Sequence, residues 1–139
     1  NLEDYPDIEY KILLHKHQDI LDNDDLLLEQ LNGVRRDLYL WISIIGKYYY
    51  YTIEKMIKRD EKYYFCYDVL HDEDEVTMVH RLEQFFTQKD YVKLPEDAAN
   101  YILEDIETEL SPRSETTVFK CLFNDLFTNK ITNLEVWLP

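Results

Sequence analysis

Glycine is nearly absent from this chain, since Gly33 and Gly46 are its only two glycines. A phosphate-binding P-loop and a dinucleotide-binding fingerprint each need several glycines within one short segment, because the backbone must approach the phosphate closely. The sequence also contains no G-x-S-x-G, H-E-x-x-H or C-x-x-C motif. The common hydrolase, zincin and structural-zinc signatures are therefore missing too, and the motifs predict neither a catalytic residue nor a cofactor.

Cysteines and long apolar runs are equally scarce. Cys66 and Cys121 lie far apart in apolar surroundings, a pattern typical of reduced core thiols rather than of a secreted disulfide framework. There is no run of about 18 uncharged apolar residues to span a bilayer, and the first residues show no signal-peptide pattern. These absences predict a cytoplasmic protein that does not insert into membranes.

Basic residues are outnumbered by 29 to 15, which gives a net charge of −14. The imbalance is uneven, because residues 1–34 carry −7 and residues 68–110 carry −10, whereas residues 35–62 carry +3. Phosphate backbones and anionic lipids repel such a protein, so direct binding to nucleic acid or membrane is not expected, while a basic protein would be attracted. Acidity of this size can also serve solubility alone.

A β-meander is the clearest structural pattern in the sequence, which is predicted to form one α+β domain over residues 1–139. Residues 38–45 and 48–57 are rich in β-branched and aromatic residues and flank Gly46-Lys47, a pair suited to a two-residue type II′ turn. Residues 62–70 resume the alternation. Residues 38–70 therefore predict a three-stranded antiparallel meander, to which residues 132–138 could add a fourth strand.

Helical periodicity surrounds this meander. The N-terminal region, residues 1–34, is predicted to be helical, with a break at residues 22–25 and a stop at Gly33, although residues 10–14 would also suit a short strand. Three further helices are predicted within residues 74–129: one after the acids at 72–75, one from Pro95 to Leu110, and one capped by Ser114. The helices are expected to pack mainly on the sheet face of Leu40, Ile42 and Ile44.

The candidate partner-binding residues combine acidic clusters with aromatic side chains on the opposite sheet face. Aromatic anchors surrounded by charge are what protein interfaces favour, although a tyrosine run is also often shared between core and surface. The acidic candidates are Asp22, Asp24, Asp25, Asp72, Glu73, Asp74, Glu75, Asp97, Glu104 and Glu107. The aromatic candidates are Tyr39, Trp41, Tyr48 and Tyr50.

Metal and nucleophile candidates are weak by comparison. His15 and His17 would share a face only in a strand, and no third ligand lies nearby in the sequence. The acids at 22–25 resemble part of a calcium loop, but Leu27 stands where the EF-hand turn needs glycine. No histidine is positioned by the sequence beside either cysteine, so no metal ligand and no catalytic nucleophile is predicted.

In size and charge the chain is similar to bacterial immunity proteins and phage-encoded inhibitors, without a shared motif. This similarity implies a protein that neutralises a basic toxin or nuclease domain by occluding its active site. One alternative is a phage-type DNA mimic with Asp97, Glu104 and Glu107 along one side of a helix. Another is a small enzyme whose pocket would hold His15, His17 or His71 beside a carboxylate or a cysteine.

Overall fold

The computed structural model describes residues 6–15, 23–108, 110–123 and 135–137 of the chain. The elements follow in the order β1 (Asp7–Leu13), α1 (Asp24–Gln30), β2 (Val34–Ser43), β3 (Tyr48–Arg59), β4 (Lys62–Tyr67), α2 (Glu73–Gln88), β5 (Val92–Lys93), α3 (Glu96–Ala99), α4 (Val118–Leu122) and β6 (Glu135–Trp137). The predicted α+β class and antiparallel meander are confirmed.

The sheet is built around the meander of β2, β3 and β4. Its strand order is β1-β2-β3-β4-β6, all neighbours are antiparallel, and the two-residue β5 pairs in parallel with the start of β3. The predicted C-terminal strand is present as β6, which pairs with β4. Strand β5 was not predicted, and β1 was anticipated only in part, by the alternative of a short strand over residues 10–14.

The connection between β2 and β3 is longer than predicted. Trp41 pairs with Tyr50 and Ile42 with Tyr49, so residues 44–47 form a four-residue connection in place of a two-residue turn. A type II′ turn would need a positive φ at Gly46, and among the described glycines only Gly33 has one. The register is therefore shifted by two residues, which leaves every side chain on its predicted face. Ile44, predicted to lie in the core, is 63% exposed.

The helix predicted over the first residues of the described chain is wrong, because residues 7–13 form strand β1. Ile8 pairs with Ile42 and Ile12 with Leu38, so the alternating apolar side chains extend an apolar sheet face. The alternative of a strand over residues 10–14 comes closer to the structure. Helix α1 begins where predicted, since the Asn23 side chain accepts a hydrogen bond from the Leu26 N–H at 2.9 Å.

Helices cover both faces of the sheet. Helix α2 packs Val79 and Phe86 on the face of Leu38 and Leu40, which is the face predicted to carry most of the helices. The opposite face carries a second apolar cluster, in which α3 and α4 bury Trp41 of β2. The buried members of this second cluster are Trp41, Tyr50, Leu94, Ala99, Phe119 and Phe123.

The long helix predicted from Pro95 to Leu110 is not formed. Helix α3 ends at Ala99, and Ile102 instead makes an isolated antiparallel bridge with Thr117. The apolar residues expected to form a buried stripe on this helix are largely exposed, since Ile106 and Leu110 are 45% and 55% exposed. The following helix, α4, is capped by Thr117 rather than by Ser114, and residues 124–129 of its predicted span lie outside the described residues.

Candidate functional site

A buried arginine organises the polar end of the sheet. Arg36 lies near the start of β2 and is 6% exposed. Its guanidinium donates from Nη1 and Nη2 to the two carboxylate oxygens of Glu75, at 2.6 and 3.0 Å, and from Nε to Asp68 Oδ2 at 2.8 Å. Nη2 also donates to the Val69 carbonyl at 2.7 Å. The arginine therefore fixes the β4–α2 connection and the first turn of α2 to the sheet.

The pKa values of both carboxyl groups reflect this arrangement. The hydrogen bonds from Arg36 hold the pKa of Glu75 below its usual range against the opposing effect of burial. Burial raises the pKa of Asp68, but hydrogen bonds from the Val69 N–H and from Arg36 outweigh it, so the net shift is downward. Both acids are therefore held ionised at neutral pH.

A cleft of about 520 Å³ opens beside Arg36, between the end of β1 and the start of α2. His15 lines the cleft, and its Nε2 accepts a hydrogen bond from the Arg36 backbone N–H at 3.2 Å. Burial lowers the pKa of His15, and an accepting Nε2 requires the neutral ring. The remaining lining residues are Leu13, Leu14, Arg36, His71, Asp72, Asp74, Glu75 and Met78.

The acids at 72–75 have divided roles at this cleft. Asp72 is the N-cap of α2 and accepts a hydrogen bond from the Glu75 N–H at 2.9 Å, as the sequence predicted. Glu75 is half-buried against Arg36, whereas Asp72, Glu73 and Asp74 are exposed. Three of the four predicted acids therefore face solvent, and two of these, Asp72 and Asp74, lie on the rim of the cleft. The fourth, Glu75, supports the structure.

The acids of α1 are engaged by basic side chains of the sheet. Asp24 accepts a hydrogen bond from Arg35 at 2.9 Å, and Asp25 accepts hydrogen bonds from Lys58, at 3.1 Å, and from the Tyr63 hydroxyl. Since Arg35 and Arg36 are adjacent in a strand, they point to opposite faces. The α1 acids and the first turn of α2 therefore approach the same end of the sheet from opposite faces. Asp22 lies outside the described residues.

Two of the four aromatic candidates belong to the core. Trp41 and Tyr50 are 4% and 5% exposed and pack edge-on against Phe119 at 5.3 and 5.5 Å between ring centroids. A partner cannot reach them in this fold, so their proposed contact role is wrong. Tyr39 is half-buried and stacks on Trp41, while Tyr48 is 39% exposed. The sheet face that the sequence offered as a binding surface is instead covered by α3 and α4.

The acids from Asp97 to Glu107 are exposed but do not form a ridge. Asp97 lies in the four-residue α3, and its side chain accepts a hydrogen bond from the Ala98 N–H at 2.9 Å. Glu104 and Glu107 follow in irregular chain. Regular helical spacing of these three carboxylates, on which the DNA-mimic alternative depended, is therefore absent from the structure.

Metal-binding groups are not brought together in the part of the chain that the structure describes. No group of three or more His, Cys, Asp or Glu side chains there could hold a metal ion. Cys66 and Cys121 are not joined in a disulfide, and both are half-buried. His17 lies outside the described residues. Across the same residues, no helix has the length and apolar character needed to cross a membrane.

Sequence reasoning missed Arg36 and the cleft beside it. The available signal was the pair Arg35-Arg36 directly before an apolar strand, because a charged side chain that enters a sheet core needs a charged partner. The partners, Asp68 and Glu75, are 32 and 39 residues away in sequence. Their identity could only come from the tertiary structure.

The chain matches no protein-family model, no curated protein and no solved structure. Its function is therefore argued from its own residues.

Proposed function

We propose that this chain is an acidic inhibitor that binds a basic protein, such as a toxin or nuclease domain, and occludes its active site in the manner of an immunity protein. The observation that carries the proposal is the cleft beside Arg36, whose rim bears exposed Asp72 and Asp74 on the first turn of α2. A lysine or arginine side chain of the partner would fit this cleft.

The rigid setting of the acidic rim supports the proposal. Helix α2 spans 16 residues, and its first turn is held to the sheet by Glu75 and the buried Arg36. Acids presented from a fixed position lose little conformational entropy on binding, and complementary charge accelerates encounter with a cationic active site. The net charge of −14 would also attract a basic partner before the two proteins make contact.

The two alternative functions are less well supported. A DNA mimic needs carboxylates spaced along a ridge, and the helix that would have supplied the ridge ends at Ala99. An enzyme would use a histidine and a carboxylate of the cleft. Glu75 is tied to Arg36, and His15 Nε2 accepts the Arg36 N–H. His71, the other histidine that lines the cleft, has Nε2 2.9 Å from Asp68 Oδ2, an atom that also accepts a hydrogen bond from Arg36. The histidines and carboxylates that meet here are therefore tied to the ion-pair network of Arg36.

The test begins with capture of partners from a lysate of the source organism on the immobilised chain. The captured protein is then purified, and its nuclease or toxin activity is measured against increasing amounts of this chain. The proposal expects a basic protein whose activity falls to zero at a fixed stoichiometry. If no captured protein is inhibited, the inhibitor function is wrong.

A charge variant then locates the binding surface. Asp72→Asn, Glu73→Gln and Asp74→Asn together remove the two rim charges and that of the adjacent exposed Glu73, while asparagine preserves the helix cap and Glu75 remains with Arg36. The association rate should fall about tenfold at low salt, with a flatter salt dependence, because exposed charges act mainly on encounter.

The matched control removes three exposed acids elsewhere, through Glu29→Gln, Asp60→Asn and Glu115→Gln. Both variants change the net charge equally, so a difference between them reports position rather than total charge. Equal slowing in the two variants would show that the cleft is not the contact surface.

A further inference from the structure

Strand β1 is an edge of the sheet among the described residues, since it pairs with β2 and ends the strand order. One face of this strand exposes apolar side chains, since Ile8 is 47% exposed and Tyr10 is 52% exposed. Natural proteins usually protect such edges with proline, bulges or charged side chains, because an open edge can pair with another strand. The charges of β1 are of both signs, since it carries Asp7, Glu9 and Lys11, so they oppose pairing only with a strand that does not offer the opposite charges. No proline or bulge interrupts the seven paired residues of β1.

The direction of the backbone groups fixes which residues a second strand could pair with. Leu14 donates its N–H to the Arg36 carbonyl at 2.9 Å, and the Pro6 carbonyl accepts the Ile44 N–H at 2.8 Å. Even-numbered residues of this segment therefore direct their backbone groups towards β2. Because the direction alternates along a strand, the groups of Asp7, Glu9, Lys11 and Leu13 are directed towards the outer edge.

The sequence of β1 is complementary to itself in one antiparallel register. With a two-fold axis at Tyr10, Glu9 of one copy lies opposite Lys11 of the other, and Ile8 lies opposite Ile12. The backbone groups of Glu9 and Lys11 are both directed outward, so the pair can exchange two backbone hydrogen bonds. Within one copy the Glu9 carboxylate accepts a hydrogen bond from Trp41 Nε1 at 2.9 Å, and Lys11 Nζ lies 4.0 Å from Asp37. The dimer would add an opposite charge beside each of these side chains. Shifting the register by two residues would place Glu9 opposite Glu9, or Lys11 opposite Lys11.

We propose that the outer edge of β1 binds β1 of a second copy of this chain, forming a symmetric dimer with one continuous sheet. The two-fold axis passes between the Tyr10 residues, and each interface contains two Glu9–Lys11 pairs. Such an interface is isologous, as most homodimer interfaces are. The charge pattern selects a second copy over an unrelated strand because both ion pairs come from the same short segment. This inference is independent of the inhibitor function proposed above.

Analytical ultracentrifugation of the full chain at about 0.15 M salt tests the dimer. The wild-type chain should show a monomer–dimer equilibrium. Tyr10→Lys should leave only monomer, because it places two ammonium groups against each other on the axis. The matched control is Tyr101→Lys, at a side chain that is 65% exposed and distant in sequence from β1, and it should dimerise like the wild type. Wild-type protein that stays monomeric up to about 1 mM overturns the proposal.

The register is tested by disulfide formation and by exchange of charges. Tyr10→Cys should form a symmetric disulfide across the axis, since directly opposed residues in such a pair lie about 4.5 Å apart at Cα. Ile8→Cys should not form such a disulfide, because the two position-8 residues of the dimer lie about four residues apart along the paired strands. Peptide mapping distinguishes these bonds from any that involve Cys66 or Cys121. A disulfide at Ile8→Cys without one at Tyr10→Cys contradicts the register.

Exchange of charges provides a second readout of the same register. Lys11→Glu alone should raise the dimer Kd about tenfold or more, because it opposes Glu9 in both pairs. Adding Glu9→Lys should restore dimerisation, since opposite charges then face each other again. Far-UV circular dichroism confirms folding of each variant. Failure of the double variant to recover, in folded protein, contradicts the ion pairs.

Discussion

Replacing Arg36 with methionine should be one of the most destabilising single changes in the chain. The side chains of Arg36, Asp68 and Glu75 are 8%, 14% and 11% exposed, so little water is available to solvate the two carboxylates once the cation is gone. Breaking a buried ion pair by removing one partner costs about 3–5 kcal/mol. Urea denaturation at pH 7 measures the loss directly, with far-UV circular dichroism as the probe.

The same reasoning predicts a partial rescue and a pH dependence. Replacing Asp68 with Asn and Glu75 with Gln in the Arg36→Met background should recover part of the loss, because no buried charge is then left unpaired. In the wild type the pKa values of both acids are lowered, so their stabilising contribution is present above their ordinary values and is lost as pH falls through the lowered ones. In Arg36→Met the hydrogen bonds and the charge of the guanidinium are gone, so both pKa values rise relative to those in the wild type, and lowering the pH relieves the cost.

The free-energy difference between wild type and Arg36→Met should therefore shrink as pH falls from about 7 to about 4. A loss below about 1 kcal/mol at pH 7, the value typical of an exposed ion pair, would refute the claim that Arg36 holds the fold together. A difference that stays constant with pH would show that the carboxylates are not the groups left unpaired.

Three further changes test other parts of the structure. Burial and the cross-strand neighbour Asp37 raise the pKa of Glu54. Glu54→Gln should therefore stabilise the protein by up to about 1 kcal/mol at pH 7 and have little effect at acidic pH. Urea denaturation at several pH values shows whether the variant is more or less stable than the wild type. Phe119→Ala should cost about 3–5 kcal/mol in the same assay, whereas Phe85→Ala, at a residue 55% exposed, should cost far less; equal losses would contradict the core described here. Gly33→Ala should cost about 1–2 kcal/mol, since the φ of 78° at Gly33 strains any side chain, and an unchanged denaturation midpoint would contradict it.

The sequence by itself determined the features that depend on neighbouring residues. Alternation of β-branched and aromatic residues predicted β2, β3 and β4, because the side chains of a strand alternate between its two faces. Residues 22–25 and 72–75 were predicted to start helices, since a short polar side chain at such a position satisfies a backbone N–H. Gly33 was identified as a helix stop because glycine tolerates positive φ. Each of these signals depends only on residues that are close together in the sequence.

Tertiary structure decided the features that depend on distant residues. Residues 7–13 form a strand because they pair with β2, and a short apolar pattern cannot distinguish this outcome from a helix. Trp41 is a core residue because Phe119 covers it from 78 residues away, which places the predicted aromatic binding face inside the protein. The cleft arises in the same way, since Arg36 brings Glu75 to the sheet across 39 residues. Long-range packing and ion pairing are set by which surfaces meet on folding, and local sequence carries no record of that choice.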